Sequence, residues 1–266
     1  MVNSIDGLIT NIVNKVDSKK INVFTLDNDC LLYIFNYLKD KDKAKLWIVS
    51  RNLFNKISNQ LSIDLWGCKT VTNVNVFSNV HTVYLGYCIN ITDVSALGNV
   101  HNLNLCSCIK ITDVSALGGV HTLNLSFCRK ITDVSSLGKV HSLNLSQCSN
   151  ITDVSALGNV HTLSLWGCHH VTEVSDLINV HTLILDDCNK IKKVNTLGNV
   201  KKLGLKNCWD ITDVSNLGGL HTLDLTGCCR ITDVSALGSL HTLNLTYCKN
   251  ITDISALSGV TNLILS

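Results

Sequence analysis

Ten cysteines, Cys68, Cys88, Cys108, Cys128, Cys148, Cys168, Cys188, Cys208, Cys228 and Cys248, follow one another at an unbroken interval of twenty residues. Only Cys30, Cys106 and Cys229 fall outside it. Aligned on that interval, everything from Leu61 onward comes into register as ten units of twenty, followed by Thr261–Ser266, the first six residues of an eleventh. Self-similarity at a short fixed period marks a solenoid, in which each unit buries its apolar face only against its neighbours. With 45% hydrophobic and 16% charged residues the chain does not have the composition of a disordered one. It also has no run of about 18 apolar residues that would span a bilayer.

The unit Val120–Lys139 shows the pattern. Val120, Leu123, Leu125, Cys128, Ile131, Val134 and Leu137 are apolar, and Thr122, Asn124 and Ser126 alternate with the first leucines. The period of two around Leu123 and Leu125 predicts a short strand with one buried face. The spacing of three from Ile131 to Leu137 predicts a tight turn or one turn of 3₁₀ helix. Glycine then recurs at Gly98, Gly118, Gly138, Gly158, Gly198, Gly218 and Gly238, where it is expected to supply a positive φ before the chain re-enters the strand.

The motif L-x-x-L-x-L-x-x-C-x-x-I resembles the leucine-rich repeat, in its cysteine-containing variety with a shortened convex side. That resemblance covers residues 61–266 and implies an α/β solenoid: a stack of repeats with a parallel β-sheet on its concave face and short turns or 3₁₀ helix on its convex side. In this family the concave face commonly binds a protein.

Three ladders of identical residues run through the repeats. The cysteines read as small buried side chains with a weak donor, reduced rather than crosslinked, since parallel Cβ directions on adjacent coils are poor disulfide geometry. His81, His101, His121, His141, His161, His181, His221 and His241, interrupted by Lys201, stand just before each strand. They are expected to stack on one another and to bond loop carbonyls; zinc chelation and pH sensing are the sharper readings of such a row. Asp93, Asp113, Asp133, Asp153, Glu173, Asp213, Asp233 and Asp253, each preceded by threonine, are expected to cap the following turn. No catalytic group, metal or cofactor is expected from any of the three.

Where the units differ is more informative. Variation concentrates on strand positions of the concave face and the loop after them, and picks out Tyr84, Tyr87, Asn104, Phe127, Asn144, Trp166, Asp186, Lys202, Lys206, Asp224 and Tyr247 as the partner-binding face. Its aromatic content suits a protein partner. The seventh unit departs most, with Lys192 and Lys193 in place of the threonine and acid, and Lys201 in place of histidine. Residues 61–266 hold 13 Lys+Arg against 14 Asp+Glu, which gives no reason to expect nucleic acid.

Residues 1–60 carry no trace of the period. Within 1–25, Ile5, Leu8, Ile9, Ile12, Val13 and Val16 form the stripe of an amphipathic helix, whose polar face is too poor in cations for a membrane. Residues 26–60 open with Leu26, continue through Leu31, Leu32, Ile34, Phe35, Tyr37 and Leu38 into a polar turn, then Val49-Ser50-Arg51 and Phe54. This stretch resembles an F-box, a small all-α module, with Asp27 where that family has proline. The resemblance implies docking on a Skp-type adaptor through Leu26, Leu31, Ile34, Phe35 and Leu38, and, with the repeats, a non-enzymatic substrate-recognition subunit of an SCF-type cullin–RING ubiquitin ligase. The alternative is a leucine-rich-repeat scaffold with no ubiquitin role, its N-terminal helices acting only as a cap. The first twenty residues have neither a secretory nor a mitochondrial leader pattern, so a cytoplasmic or nuclear location is expected, in the host cell if the chain is viral. The incomplete eleventh strand is expected either to mark a shortened array or to pair with another copy of the chain.

Overall fold

A computed structural model describes residues 62–265. The amphipathic segment 1–25 and the F-box-like segment 26–60, with Leu26, Leu31, Ile34, Phe35 and Leu38, lie outside the described residues.

Eleven strands of three residues, from β1 (Ser62–Asp64) to β11 (Asn262–Ile264), form one parallel sheet in strict chain order. Every pairing is offset by one repeat, as in Thr122↔Ser142, Leu123↔Leu143 and Asn124↔Asn144. Parallel strands need a crossover, and here it is a loop containing one short 3₁₀ segment, from Asn75–Phe77 in the first coil to Ser255–Gly259 in the last. Twenty residues are too few for an α-helical crossover of ordinary length, so the return path is the tighter helix.

One coil accounts for its own backbone. The N–H groups of Leu125 and Phe127 donate to Asn144 and Ser146 on the next coil, at 2.8 Å each. Cys128, Ile131, Leu137 and Val140 close turns three residues back, to Leu125, Cys128, Val134 and Leu137. His141 and Ser142 then both donate to the carbonyl of His121, at 3.0 Å each. The seven apolar residues of this coil, Val120 through Leu137, are all buried, and their counterparts in successive coils make a single continuous core.

The recurrent glycines do something other than expected. Gly98, Gly138, Gly158 and Gly238 have φ of −62°, −63°, −60° and −65°, ordinary right-handed values. Glycine is needed there for space: a Cβ on Gly98, Gly138, Gly158 or Gly238 would run into the carbonyl oxygen of Ala116, Ala156, Asp176 or Ala256 on the next coil. The 3₁₀ sides of adjacent coils are in backbone contact. The positive φ lies instead on the residue before each cysteine: Tyr87, Ser107, Phe127, Gln147, Asp187, Asn207 and Tyr247, with φ between 55° and 61°, and Gly67, Gly167 and Gly227. Five of these ten residues are Gly, Asn or Asp, the types that enter the left-handed region most easily, so the alignment held the signal for this turn.

Replacing Gly158 with alanine is expected to cost about 1–3 kcal/mol, because the added methyl group must displace a backbone carbonyl. Gly67→Ala, where nothing lies within 4 Å of the new Cβ and only the φ of 72° is unfavourable, is expected to cost about 1 kcal/mol. Urea unfolding midpoints of the two variants rank them; equal midpoints would refute the close-contact explanation.

Candidate interaction face and its supporting ladders

The outer face of the sheet is built on a turn that ends each strand early. In the third, fourth and fifth coils Asn104, Asn124 and Asn144 accept, through Oδ1, the N–H of Cys106, Ser126 and Ser146, each at 2.9 Å. Asp224 and Asn244 do the same for Thr226 and Thr246 at 3.0 Å, and also accept the threonine hydroxyl at 2.6 Å. A side-chain acceptor so placed draws the backbone out of the strand ladder, and the left-handed residue follows. Of the expected face residues, Asn104, Asn144 and Asp224 are therefore half-buried and hold the turn.

The aromatic residues project from that frame. Tyr84, Tyr87, Trp166 and Tyr247 are exposed, and Phe127 is half-buried. Trp166 lies edge-on to Phe127 two coils away, with centroids 6.4 Å apart at 79°, and its Nε1–H donates to Asp187 Oδ2 at 2.6 Å. The ring is thus fixed at both ends. Trp66 and Trp209 were not among the expected face residues, although they are 52% and 56% exposed. Trp66 occupies the same place in the first coil as Trp166 in the sixth, so register alone points to it. Its ring covers Gly86, where a Cβ would meet it, and tilts against Tyr87 at 5.3 Å. Tyr247 stands apart, four coils beyond Trp166 and 64% exposed.

Asp186, Lys206 and Asp224 come together as one polar chain. Asp186 Oδ1 accepts the N–H of Lys206 at 3.0 Å, and Lys206 Nζ lies 3.3 Å from Asp224 Oδ2. In this coil Gly204 stands where others carry asparagine, and a Cβ on Gly204 would come within 2.7 Å of Asp186 Oδ1. Asp186 reaches across that gap to serve the turn of the next coil. Burial pushes its carboxyl above the usual range, partly offset by the bond from the Lys206 N–H and by the lysine charge. Lys202 is exposed at the edge of the group.

Behind this face the cysteine ladder is a hydrogen-bonded spine. Nine thiols, Cys88 through Cys248, each donate to the carbonyl oxygen of a leucine in the preceding coil, from Leu65 to Leu225, at 2.9–3.2 Å. All ten ladder cysteines are free thiols. Burial raises the thiols, to about 12 for Cys148, Cys168, Cys188 and Cys228, which removes thiolate chemistry at neutral pH.

The histidine row stacks as expected, with centroids of successive rings 4.5–4.7 Å apart. Its hydrogen bond is not to a loop carbonyl. Nδ1 of His81, His121, His161, His181, His221 and His241 pairs with the hydroxyl of the next threonine at 3.0–3.3 Å, because the adjoining side chain is nearer than any loop. No group of three or more metal-ligating side chains occurs among the described residues.

The acidic ladder caps the 3₁₀ segments. Oδ1 of Asp93, Asp113, Asp133, Asp153, Asp213, Asp233 and Asp253, and Oε1 of Glu173, accept the N–H two residues on, at 2.8–2.9 Å. Asn73 does so in the first coil at 2.9 Å. Lys193 breaks the row, and the N–H of Asn195 has no side-chain acceptor. Lys192 and Lys193 line an open groove of about 640 Å³ with Glu173, Ser175, Asn195, Thr196, Asp210, Thr212 and Asp213. The carboxylates there are engaged: Glu173 by Ser175 N–H, Asp213 by Ser215 N–H and Asn195 Nδ2, and Asp210 by Arg230.

Two outcomes follow from the ladders. In the native protein at neutral pH, alkylation mapped by mass spectrometry is expected at exposed Cys229 and half-buried Cys68, with Cys88–Cys228 protected until unfolding; rapid native labelling of Cys148 would contradict the buried spine. Lys193→Asp restores the acceptor for Asn195 and is expected to raise the unfolding midpoint at pH 7, and a lowered midpoint counts against the capping role.

No protein-family profile matches the chain, and no curated protein does. Among solved structures, internalin C2 from Listeria monocytogenes is 27% identical, with a TM-score of 0.43, covering 57% of this chain and 74% of that one. The functional domain of InlJ from Listeria monocytogenes, described as including a cysteine ladder, is 17% identical with a TM-score of 0.44, covering 77% of this chain and 58% of that one. The leucine-rich repeat domain of the type III effector XopL is 14% identical with a TM-score of 0.42, covering 97% of this chain and 95% of that one. These are leucine-rich-repeat likenesses; the repeat architecture of this chain rests on its own parallel sheet and register.

Proposed function

We propose that the solenoid is a protein-binding scaffold whose partner docks on the outer face of the sheet. The observation that carries this reading is the contrast within that face. A frame of turn-holding Asn and Asp residues recurs in the first, third to fifth, ninth and tenth coils, while Trp66, Tyr84, Tyr87, Trp166 and Tyr247 stand exposed at individual places on the same face. Rigidly presented aromatic side chains bury large area with little loss of conformational freedom, which is what binding anchors do. Free, hydrogen-bonded thiols suit a reducing compartment, in keeping with a cytoplasmic or nuclear protein.

Residues 26–60 extend the proposal. Their F-box-like pattern, placed directly before the repeats, favours a non-enzymatic substrate receptor: the N-terminal module docks on a Skp-type adaptor and the sheet face presents the bound protein to a cullin–RING ligase. The two levels separate by experiment. Purified full-length protein is expected to bind the adaptor, and the double variant Leu31→Asp with Ile34→Asp to weaken this at least tenfold. Absence of wild-type binding removes the ligase role and leaves the scaffold. A protein partner of the sheet face is expected to lose about tenfold or more in affinity with Trp166→Ala and little with Thr132→Ala on the 3₁₀ side; equal loss from both refutes the assignment of the face.

A further inference from the structure

Six imidazoles in consecutive coils, His81, His101, His121, His141, His161 and His181, form one stack at 4.5–4.7 Å. Lys201 follows in the same row, then His221 and His241, stacked at 4.5 Å. We propose that this row is a pH-sensitive spacer of the solenoid: stacked and uncharged at neutral pH, it becomes a line of like charges under mild acid and loosens the coil-to-coil seam at the leading edge of the sheet.

The geometry ties the rings to that seam. In the six-ring run the carbonyl of each histidine receives two N–H groups from the next coil, as His81 does from His101 and Asn102, His121 from His141 and Ser142, and His161 from His181 and Thr182, all at 2.9–3.0 Å, while those of His221 and His241 receive one each, from Thr242 and Asn262. These are the first bonds of each strand pairing, so force along the row acts on the sheet directly. Among the described residues no carboxylate acts on His121 or His161. The charges acting on His121 are those of His101 and His141, and those on His161 are of His141 and His181. The adjoining threonine hydroxyls are neutral, and at the far end Lys201, with Lys202 beside it, adds cations that are present at every pH used. His169 and His170 lie off the row, bonded to the carbonyls of Asp187 and Ser149.

The direction of the effect follows. Partial burial, then the neighbouring histidines, hold His121 and His161 below the ordinary imidazole value. A group with a depressed folded value binds its proton more readily in the unfolded chain. Its contribution to stability is therefore present above the unfolded value of about 6.5 and lost as pH falls through the lower folded value. The rings are mostly exposed, so salt screens the repulsion. This inference is independent of what the sheet face binds.

The test compares the full chain with the triple variant His121→Gln, His141→Gln, His161→Gln. The wild-type thermal midpoint at low salt is expected to fall by several degrees between pH 7.5 and 5.5, to fall less in 0.5 M NaCl, and to fall much less in the variant, which retains His169 and His170. An equal fall in both proteins, or none in the wild type, overturns the proposal. If the variant does not fold, wild-type imidazole titrations by NMR decide it: depressed, broadened titrations of the inner rings support it, and independent titrations at the ordinary value overturn it. Protection of the Ser142 and Thr182 amides is expected to drop at pH 5.5 relative to that of Leu125 and Leu145, and uniform change would show that the seam is not where the charge acts.

Discussion

Each coil leaves backbone groups and the sides of its apolar core open, and both are completed only by the adjacent coils. The sheet, the double bonds to the histidine carbonyls and the nine thiol-to-carbonyl bonds all join groups one repeat apart. Because each kind of bond joins adjacent coils at its own fixed offset, a shift by one residue would undo them together, which explains why so much of each unit is invariant. The cysteines belong to this constraint. A side chain at that place must be small, must tolerate a dry core and can add a second donor to a leucine carbonyl that already accepts the N–H of the cysteine in its own coil, and a protonated thiol meets all three.

The same closeness explains two further features. On the 3₁₀ side, coils approach until the carbonyl of one lies where the Cβ of the other would be, so glycine is retained for space. Ser78 and Ile178 are exceptions, and the coil of Ile178 supplies Glu173 and Ser175 to one wall of the groove lined by Lys192 and Lys193. On the strand side, a left-handed residue before each ladder cysteine turns the chain, in six coils after an Asn or Asp has ended the strand, and seven of these residues are not glycine. Each such residue costs on the order of 1–3 kcal/mol, which the packing of neighbouring coils must offset.

Departures from this regularity are concentrated on the sheet face. Trp166 is held by Phe127 and Asp187, and Asp186 reaches over Gly204 to the turn of the next coil. Departures of this kind change the surface without changing the register, so a partner-specific face can diversify on an unchanging frame. The histidine row differs in kind, because its members are identical and touch one another from coil to coil.

The twenty-residue period, the burial of Leu123, Leu125, Cys128, Ile131, Val134 and Leu137, the 3₁₀ return and the capping acids were legible in the amino-acid order alone, since each follows from periodicity and local chemistry. The partner of the thiols, the reason for the glycines, the threonine bonded to six of the eight imidazoles and the engagement of Asn104, Asn144 and Asp224 were not. Those depend on how closely one coil approaches the next, a distance between residues far apart in the chain. Linear pattern therefore determined which residues repeat and which face is buried; only the stacking of coils decided which atoms meet.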